Sequence, residues 1–126
     1  MFHKNNVLCE DLDCDSAETI YSDVLDTGYA NVGDVEPLIL EIWSGIDAVG
    51  SGTLDITLQT SITEAFSSPI DVFSLPQKNA AALPKGKVFE GAIPTGLSRY
   101  VRLKIVDTTG FTSGKCLITA AIRNRG

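Results

Sequence analysis

The segment Thr53–Pro69, TLDITLQTSITEAFSSP, decides how this chain is read. Its opening residues alternate without a break: Leu54, Ile56 and Leu58 fall on one side, and Thr53, Asp55, Thr57 and Gln59 on the other. A period of two is the pattern of a strand with one face buried and the other in water. The alternation then stops, and a loop rich in Ser and Thr, with the single Phe66, carries the chain to Pro69. No group in the segment is suited to catalysis, a first sign of a protein that binds and stabilises rather than reacts.

Working outward, the same grammar recurs. Leu38–Trp43 is an apolar run broken by Glu41, introduced by Glu36-Pro37 and closed by the glycine-bearing loop SGIDAVGSG. Pro is allowed at the first residue of a strand or on an edge, so Pro37 is compatible with a strand start. Asp71–Leu75 is short and ends at Pro76; Ala80–Leu83 can make one helical turn before Pro84 stops it. Val88–Ala92 is a short strand, and Pro94-Thr95-Gly96 is a turn. Tyr100–Val106 alternates Val101, Leu103 and Ile105 with Arg102 and Lys104; after a turn at Thr108–Gly114, Lys115–Arg123 is the last strand. Asn6–Cys9 and Thr19–Leu25 are weaker strand candidates. About eight short strands at this spacing, with no amphipathic helix of useful length, predict an all-β chain. The three best-patterned strands each bury about three aliphatic side chains, each worth roughly 1.5–3 kcal/mol. These contributions must offset an ordering entropy of similar size. Two packed antiparallel sheets suit that requirement better than one open sheet. A jelly-roll β-sandwich of about eight strands is the expected fold, with an immunoglobulin-like sandwich as the alternative.

The chain has 126 residues, the length of one domain. We expect an N-terminal acidic arm over residues 1–18, extended, followed by the sandwich over residues 19–126. No apolar run approaches a membrane span, and the first residues lack the apolar core of a secretory leader. The net charge of −6 is uneven: residues 1–50 carry eleven acidic side chains against Lys4 alone, while residues 51–126 carry nine basic and five acidic ones. An acidic chain without a basic stripe is a poor nucleic-acid binder. The split reads as a solvated acidic face, or as complementarity between the acidic half of one copy and a basic surface on its neighbour. The odd set Cys9, Cys14 and Cys116 points to free thiols in a reducing compartment, with Cys116 a small buried hydrophobe on its strand.

Candidates for chemistry are few. The sole histidine, His3, lies too near a chain end to serve as the fixed base of a nucleophilic site. His3, Cys9, Cys14 and Cys116 could supply four zinc ligands only at unfavourable spacing. Asp11-Leu12-Asp13-Cys14-Asp15-Ser16 begins like a calcium loop, but Ser16 replaces the required glycine and Ser22 the bidentate glutamate. Pro84-Lys85-Gly86-Lys87 lacks the spacing of a phosphate loop. Trp43 and Tyr100 read as core residues, or alternatively as interface anchors. The expectation is therefore a non-enzyme without metal or cofactor.

The chain resembles the small jelly-roll capsid cement, or decoration, proteins of podovirus-type tailed phages. The pieces that carry the resemblance are SDVLDTG (Ser22–Gly28), VGDVEPLILEIW (Val32–Trp43), AVGSGTLDITLQTS (Ala48–Ser61) and FSSP (Phe66–Pro69). The rest are KGKVFEGAIPTGLSRYVRLKI (Lys85–Ile105) and FTSGKCLITAAI (Phe111–Ile122). The front, Met1–Glu18, departs from the family pattern in being more acidic and in carrying two cysteines. The resemblance implies a structural protein on the outer capsid surface of a virion, made in the bacterial cytoplasm. It implies a bridge between neighbouring major capsid protein subunits and self-association as a homodimer or trimer, without nucleic acid or membrane as partner. Many weak repeated bridges sum to firm attachment. Met1–Leu8 is the expected contact arm, with Phe2 and Val7 as apolar anchors, Met1 at its tip, and His3 and Lys4 as polar anchors; its removal is expected to leave the fold intact. The alternative function is a carbohydrate-binding β-sandwich module on a virion, which requires exposed aromatics such as Trp43, Tyr29 or Phe111. A cupin-type enzyme would need clustered histidines and is disfavoured.

Overall fold

The computed structural model describes residues 7–14, 19–26, 38–93, 97–108, 111 and 116–124. Its strands are β1 (Val7–Asp13), β2 (Thr19–Tyr21), β3 (Leu25–Asp26), β4 (Leu38–Ser44), β5 (Thr53–Ser61), β6 (Ile70–Ser74), β7 (Lys78–Asn79), β8 (Gly86–Ala92), β9 (Tyr100–Asp107) and β10 (Leu117–Asn124), with one 3-10 turn at Ala80–Ala82. A four-stranded sheet runs β1-β10-β4-β8, and a six-stranded sheet runs β2-β9-β5-β6 with β3 on β9 and β7 on β5. Setting aside the two-residue strands β3 and β7, eight strands remain in two antiparallel four-strand sets. Apart from the β5–β6 hairpin, which stays within the larger sheet, successive strands of this set cross from one sheet to the other: this is a jelly-roll β-sandwich.

The alternating part of Thr53–Pro69, strand β5, lies in the middle of the larger sheet. β5 pairs with β9 from Leu54↔Asp107 to Ser61↔Tyr100, and with β6 from Thr57↔Ser74 to Thr60↔Ile70. Leu54, Ile56 and Leu58 are almost fully buried and meet Val101, Leu103 and Ile105 of β9 on the same face. From the opposite sheet, Leu40 and Ile42 of β4 and Ile118, Ala120 and Ile122 of β10 join the same core. The alternation of each strand thus supplies one layer of the core, and the other set of residues faces outward.

The front of the chain differs from the expected free arm at one point. β1 pairs with β10 along the edge of the four-stranded sheet, and Leu8 is wholly buried. Removing residues 1–8 would extract a core side chain, so the expectation that such a truncation leaves the fold intact is corrected. Asp11 and Asp13 are strand residues, not members of a coiled calcium loop. Register shifts after Val7 and after Cys9 mark a bulge, where Asp11 takes φ +49° and its N–H donates to Thr119 Oγ1 at 3.0 Å. Asp tolerates this left-handed conformation better than most residues. Met1, Phe2, His3 and Lys4, the turn Pro94-Thr95-Gly96, and Tyr29 lie outside the described residues.

Candidate functional site

The outward face of the six-stranded sheet carries ordered polar rows. β6, β5 and β9 bring Asp71, Gln59 and Arg102 into one row by register, and Ser74, Thr57 and Lys104 into the next; Tyr21 of β2 is opposite Lys104. The rows are hydrogen bonded. Arg102 Nε donates to Gln59 Oε1 at 3.0 Å, Gln59 Nε2 donates to Asp71 Oδ1 at 2.9 Å, and the hydroxyls of Thr57 and Ser74 are 2.8 Å apart.

Two aromatic rings close on Arg102 from either side of its strand. Its guanidinium carbon lies 3.9 Å from the ring centre of Tyr21 and 4.2 Å from that of Phe66. Both distances are those of a cation over a π face, each worth about 0.5–2 kcal/mol depending on desolvation. Phe66 arrives there because the loop after β5 folds back over the outer face. The hydroxyls that make this loop look merely polar are its scaffold: Thr63 N–H donates to Ser61 Oγ at 3.1 Å, Phe66 N–H closes a turn on the Thr63 carbonyl at 3.1 Å, and the Thr63 and Ser67 hydroxyls are 3.2 Å apart. Phe66 holds φ +51°, in the left-handed region, and is 6% exposed although it is not part of the sandwich core. A non-glycine residue in this region stores strain, and such strain concentrates where a side chain must be aimed.

The site carries two cations, Arg102 and Lys104, with the Asp71 carboxylate at the far end of the Gln59 bridge. Among the described residues, neither Arg102 nor Lys104 has a carboxylate within ion-pair distance. Arg102 spends Nε on Gln59, which leaves the edge of its terminal nitrogens for a ligand. Tyr21 is 47% exposed and offers the ring surface that Arg102 does not cover. An exposed aromatic with a polar tip, two cations and a row of hydroxyls can take a flat, polar, negatively charged molecule.

The opposite sheet has a different outer face. There Lys87 Nζ lies 3.1 Å from Glu41 and 3.4 Å from Glu90, and 5.7 Å from the Trp43 ring centre. The hydrogen bond to Glu41 holds the lysine above its ordinary pKa. Positive and negative groups satisfy one another here, so this face presents a closed ion-pair cluster. At one end of the larger sheet, Arg99 makes a forked contact with Asp26 at 2.7 and 2.9 Å and stacks on Tyr100 at 5.2 Å.

Trp43 and Tyr100, expected in the core, are half-buried on the outer faces with a cation over each ring. Phe111, a candidate exposed aromatic only under the alternative carbohydrate-binding reading, is buried at 4%. Val7, expected on a contact arm, is half-buried and pairs with Ala121. Tyr21 was missed in the sequence: its strand is too short for alternation to declare a face. Arg102 and Lys104 were legible as the wet side of β9, but the two rings around Arg102 come from distant segments.

No group of three or more His, Cys, Asp or Glu side chains able to hold a metal occurs among the described residues. No helix among them is long and apolar enough to cross a membrane. No protein-family model matches the chain, and no curated protein matches it. Four solved chains match. One is the carbohydrate-binding module CBM32 of AlyQ in complex with 4,5-unsaturated mannuronic acid, similar at 19% sequence identity over 87% of this chain and 73% of that one, with a TM-score of 0.45.

Proposed function

We propose that this chain is a non-catalytic binding module that takes a carboxylate-bearing carbohydrate on the outer face of its six-stranded sheet. The observation that carries this reading is the Tyr21–Arg102–Phe66 stack, in which a cation without a carboxylate at ion-pair distance among the described residues is held beside an exposed aromatic ring. The terminal nitrogens of Arg102 would fork onto the sugar carboxylate, Lys104 would add a second positive charge, and Tyr21 would supply an apolar plate for the C–H face of a sugar ring. Thr57 and Ser74 lie alongside as hydroxyl partners. Preorganisation is the source of affinity here: Gln59 and Phe66 fix the guanidinium before the ligand arrives, so little side-chain freedom is lost on binding. Affinity electrophoresis through gels containing a polyuronate, or the matching neutral polysaccharide, tests the reading. Retardation in the polyuronate gel alone, abolished by Tyr21→Ala and by Arg102→Gln, is expected; equal mobility in all gels overturns it.

A second reading, the capsid decoration protein implied by the sequence resemblance, is favoured by one feature. Ile62 and Ile70, at the same end of the β5–β6 hairpin, are 77% and 60% exposed. Apolar side chains grouped at one end of a stiff sandwich suit contact with a major capsid protein or with a second copy. Co-sedimentation with phage shells, lost in an Ile62→Asp/Ile70→Asp double variant, tests it; a chain that stays in the supernatant refutes it.

A further inference from the structure

Three cysteines are buried and free in the structure, and two of them stand face to face. The β1–β10 ladder runs Leu12↔Ile118, Asp13↔Leu117, and the next step sets Cys14 opposite Cys116. The Cys14 N–H donates to the Cys116 carbonyl at 3.0 Å, which extends the ladder to this pair. Both residues are 0% exposed, so both side chains point into the sandwich. Directly opposed residues of an antiparallel pair have Cα atoms about 4.5–5.5 Å apart. Disulfides span roughly 4.4–6.8 Å. The Cys14 thiol donates to the Leu12 carbonyl at 3.7 Å, and the neighbouring Cys116 thiol, ahead of burial, pushes it well above its ordinary value. Cys9 is aimed elsewhere, its Sγ 3.6 Å from the Ile118 carbonyl oxygen.

We propose that Cys14 and Cys116 form an intrachain disulfide when the chain folds under oxidising conditions, tying the edge strand β1 to the start of β10. The reaction is thiol–disulfide exchange with a small disulfide oxidant such as glutathione disulfide. One cysteine thiolate attacks the oxidant and releases a first glutathione thiolate. The second cysteine thiolate attacks the mixed disulfide and releases a second. The two protein thiols lose two electrons and two protons, and the oxidant gains both as two glutathione thiols. Because both folded thiols are fully buried, exchange belongs to folding or to opening of the edge strand, not to the closed native state. The bridge would close a loop that includes most of the chain, where a cross-link restricts the unfolded state most. It would hold β1, whose only ladder partner among the described strands is β10.

The test is to refold the full chain from denaturant in a glutathione redox buffer, alkylate remaining thiols, and map the peptides under non-reducing conditions. A single Cys14–Cys116 cross-link is expected, with Cys9 alkylated, the same cross-link in Cys9→Ser, and a raised urea midpoint that returns to the reduced value on adding a dithiol reductant. Three alkylated cysteines after oxidative refolding, or a cross-link that runs through Cys9, overturns the proposal. Wild-type mapping decides the outcome even if Cys9→Ser fails to fold.

Discussion

Phe66 is the residue whose replacement separates a seated ring from a decorative one. Its side chain is 94% removed from solvent, yet it lies outside the sandwich core and rests on Arg102 at 4.2 Å. Burial of such a side chain is worth about 1.5–3 kcal/mol. The cation–π contact adds about 0.5–1 kcal/mol at a partly exposed site. Phe66→Ala should therefore lower stability by about 2–4 kcal/mol. Its φ of +51° adds a second expectation. An L-residue held there carries roughly 1–2 kcal/mol of strain that glycine does not. Phe66→Gly should then be more stable than Phe66→Ala by about 1 kcal/mol, the reverse of the order found in regular helix or strand. Urea unfolding of the three proteins, compared at equal m-value, reads both differences. A Phe66→Ala loss below about 0.5 kcal/mol, or a glycine variant less stable than the alanine one, would show that the ring is not seated as described.

Other consequences follow from the same contacts. Leu8→Ala removes a fully buried side chain of the edge strand, and urea unfolding should show a loss of about 2–5 kcal/mol; a loss near zero would restore the front of the chain to a free arm. Thr60 is 4% exposed, donates to the Tyr100 carbonyl and accepts from the Ser98 N–H, both at 2.9 Å. Thr60→Val keeps its shape, leaves both groups without that partner, and should cost about 1–3 kcal/mol in chemical denaturation. Burial pushes the Cys9 thiol from its ordinary 9.0 up to about 11. The unfolded chain loses this proton first, so the stability contribution is full below about pH 9 and is lost as pH rises to about 11, amounting to about 2–3 kcal/mol. Denaturation midpoints taken from pH 8 to 11 should fall more steeply for wild type than for Cys9→Ala, and parallel curves would contradict the assignment.

The sandwich was legible because its long strands obey one rule. β5, β9 and β10 each alternate over enough residues for the buried set to declare itself, and the jelly-roll topology places those sets in one core. β1 was harder to read. Its bulge at Asp11 breaks the period of two, and its string of acidic residues resembles a solvated arm although Leu8, Cys9 and Cys14 are core. The short strands β3 and β7 have no pattern to read. The candidate site was visible only in parts. Phe66 stood out as an aromatic in a hydroxyl-rich loop, and Arg102 as the wet side of a strand. That they meet depends on a loop folding back across the sheet, a long-range event that local periodicity does not encode. Trp43 and Tyr100 mislead for a related reason: an aromatic on a strand satisfies itself equally well in a core or under a cation on an outer face.

The proposed binding of a carboxylate-bearing sugar through Arg102 on the outer face of the six-stranded sheet is read most directly by amide and side-chain NMR shift mapping during titration with an oligouronate. Saturable shifts centred on Tyr21, Gln59, Arg102 and Lys104 are expected, with at least tenfold weaker binding in Arg102→Gln, an otherwise unchanged spectrum, and no response to the neutral oligosaccharide. Shifts confined to the Trp43–Lys87 face, or an Arg102→Gln variant that binds as wild type does, would contradict it.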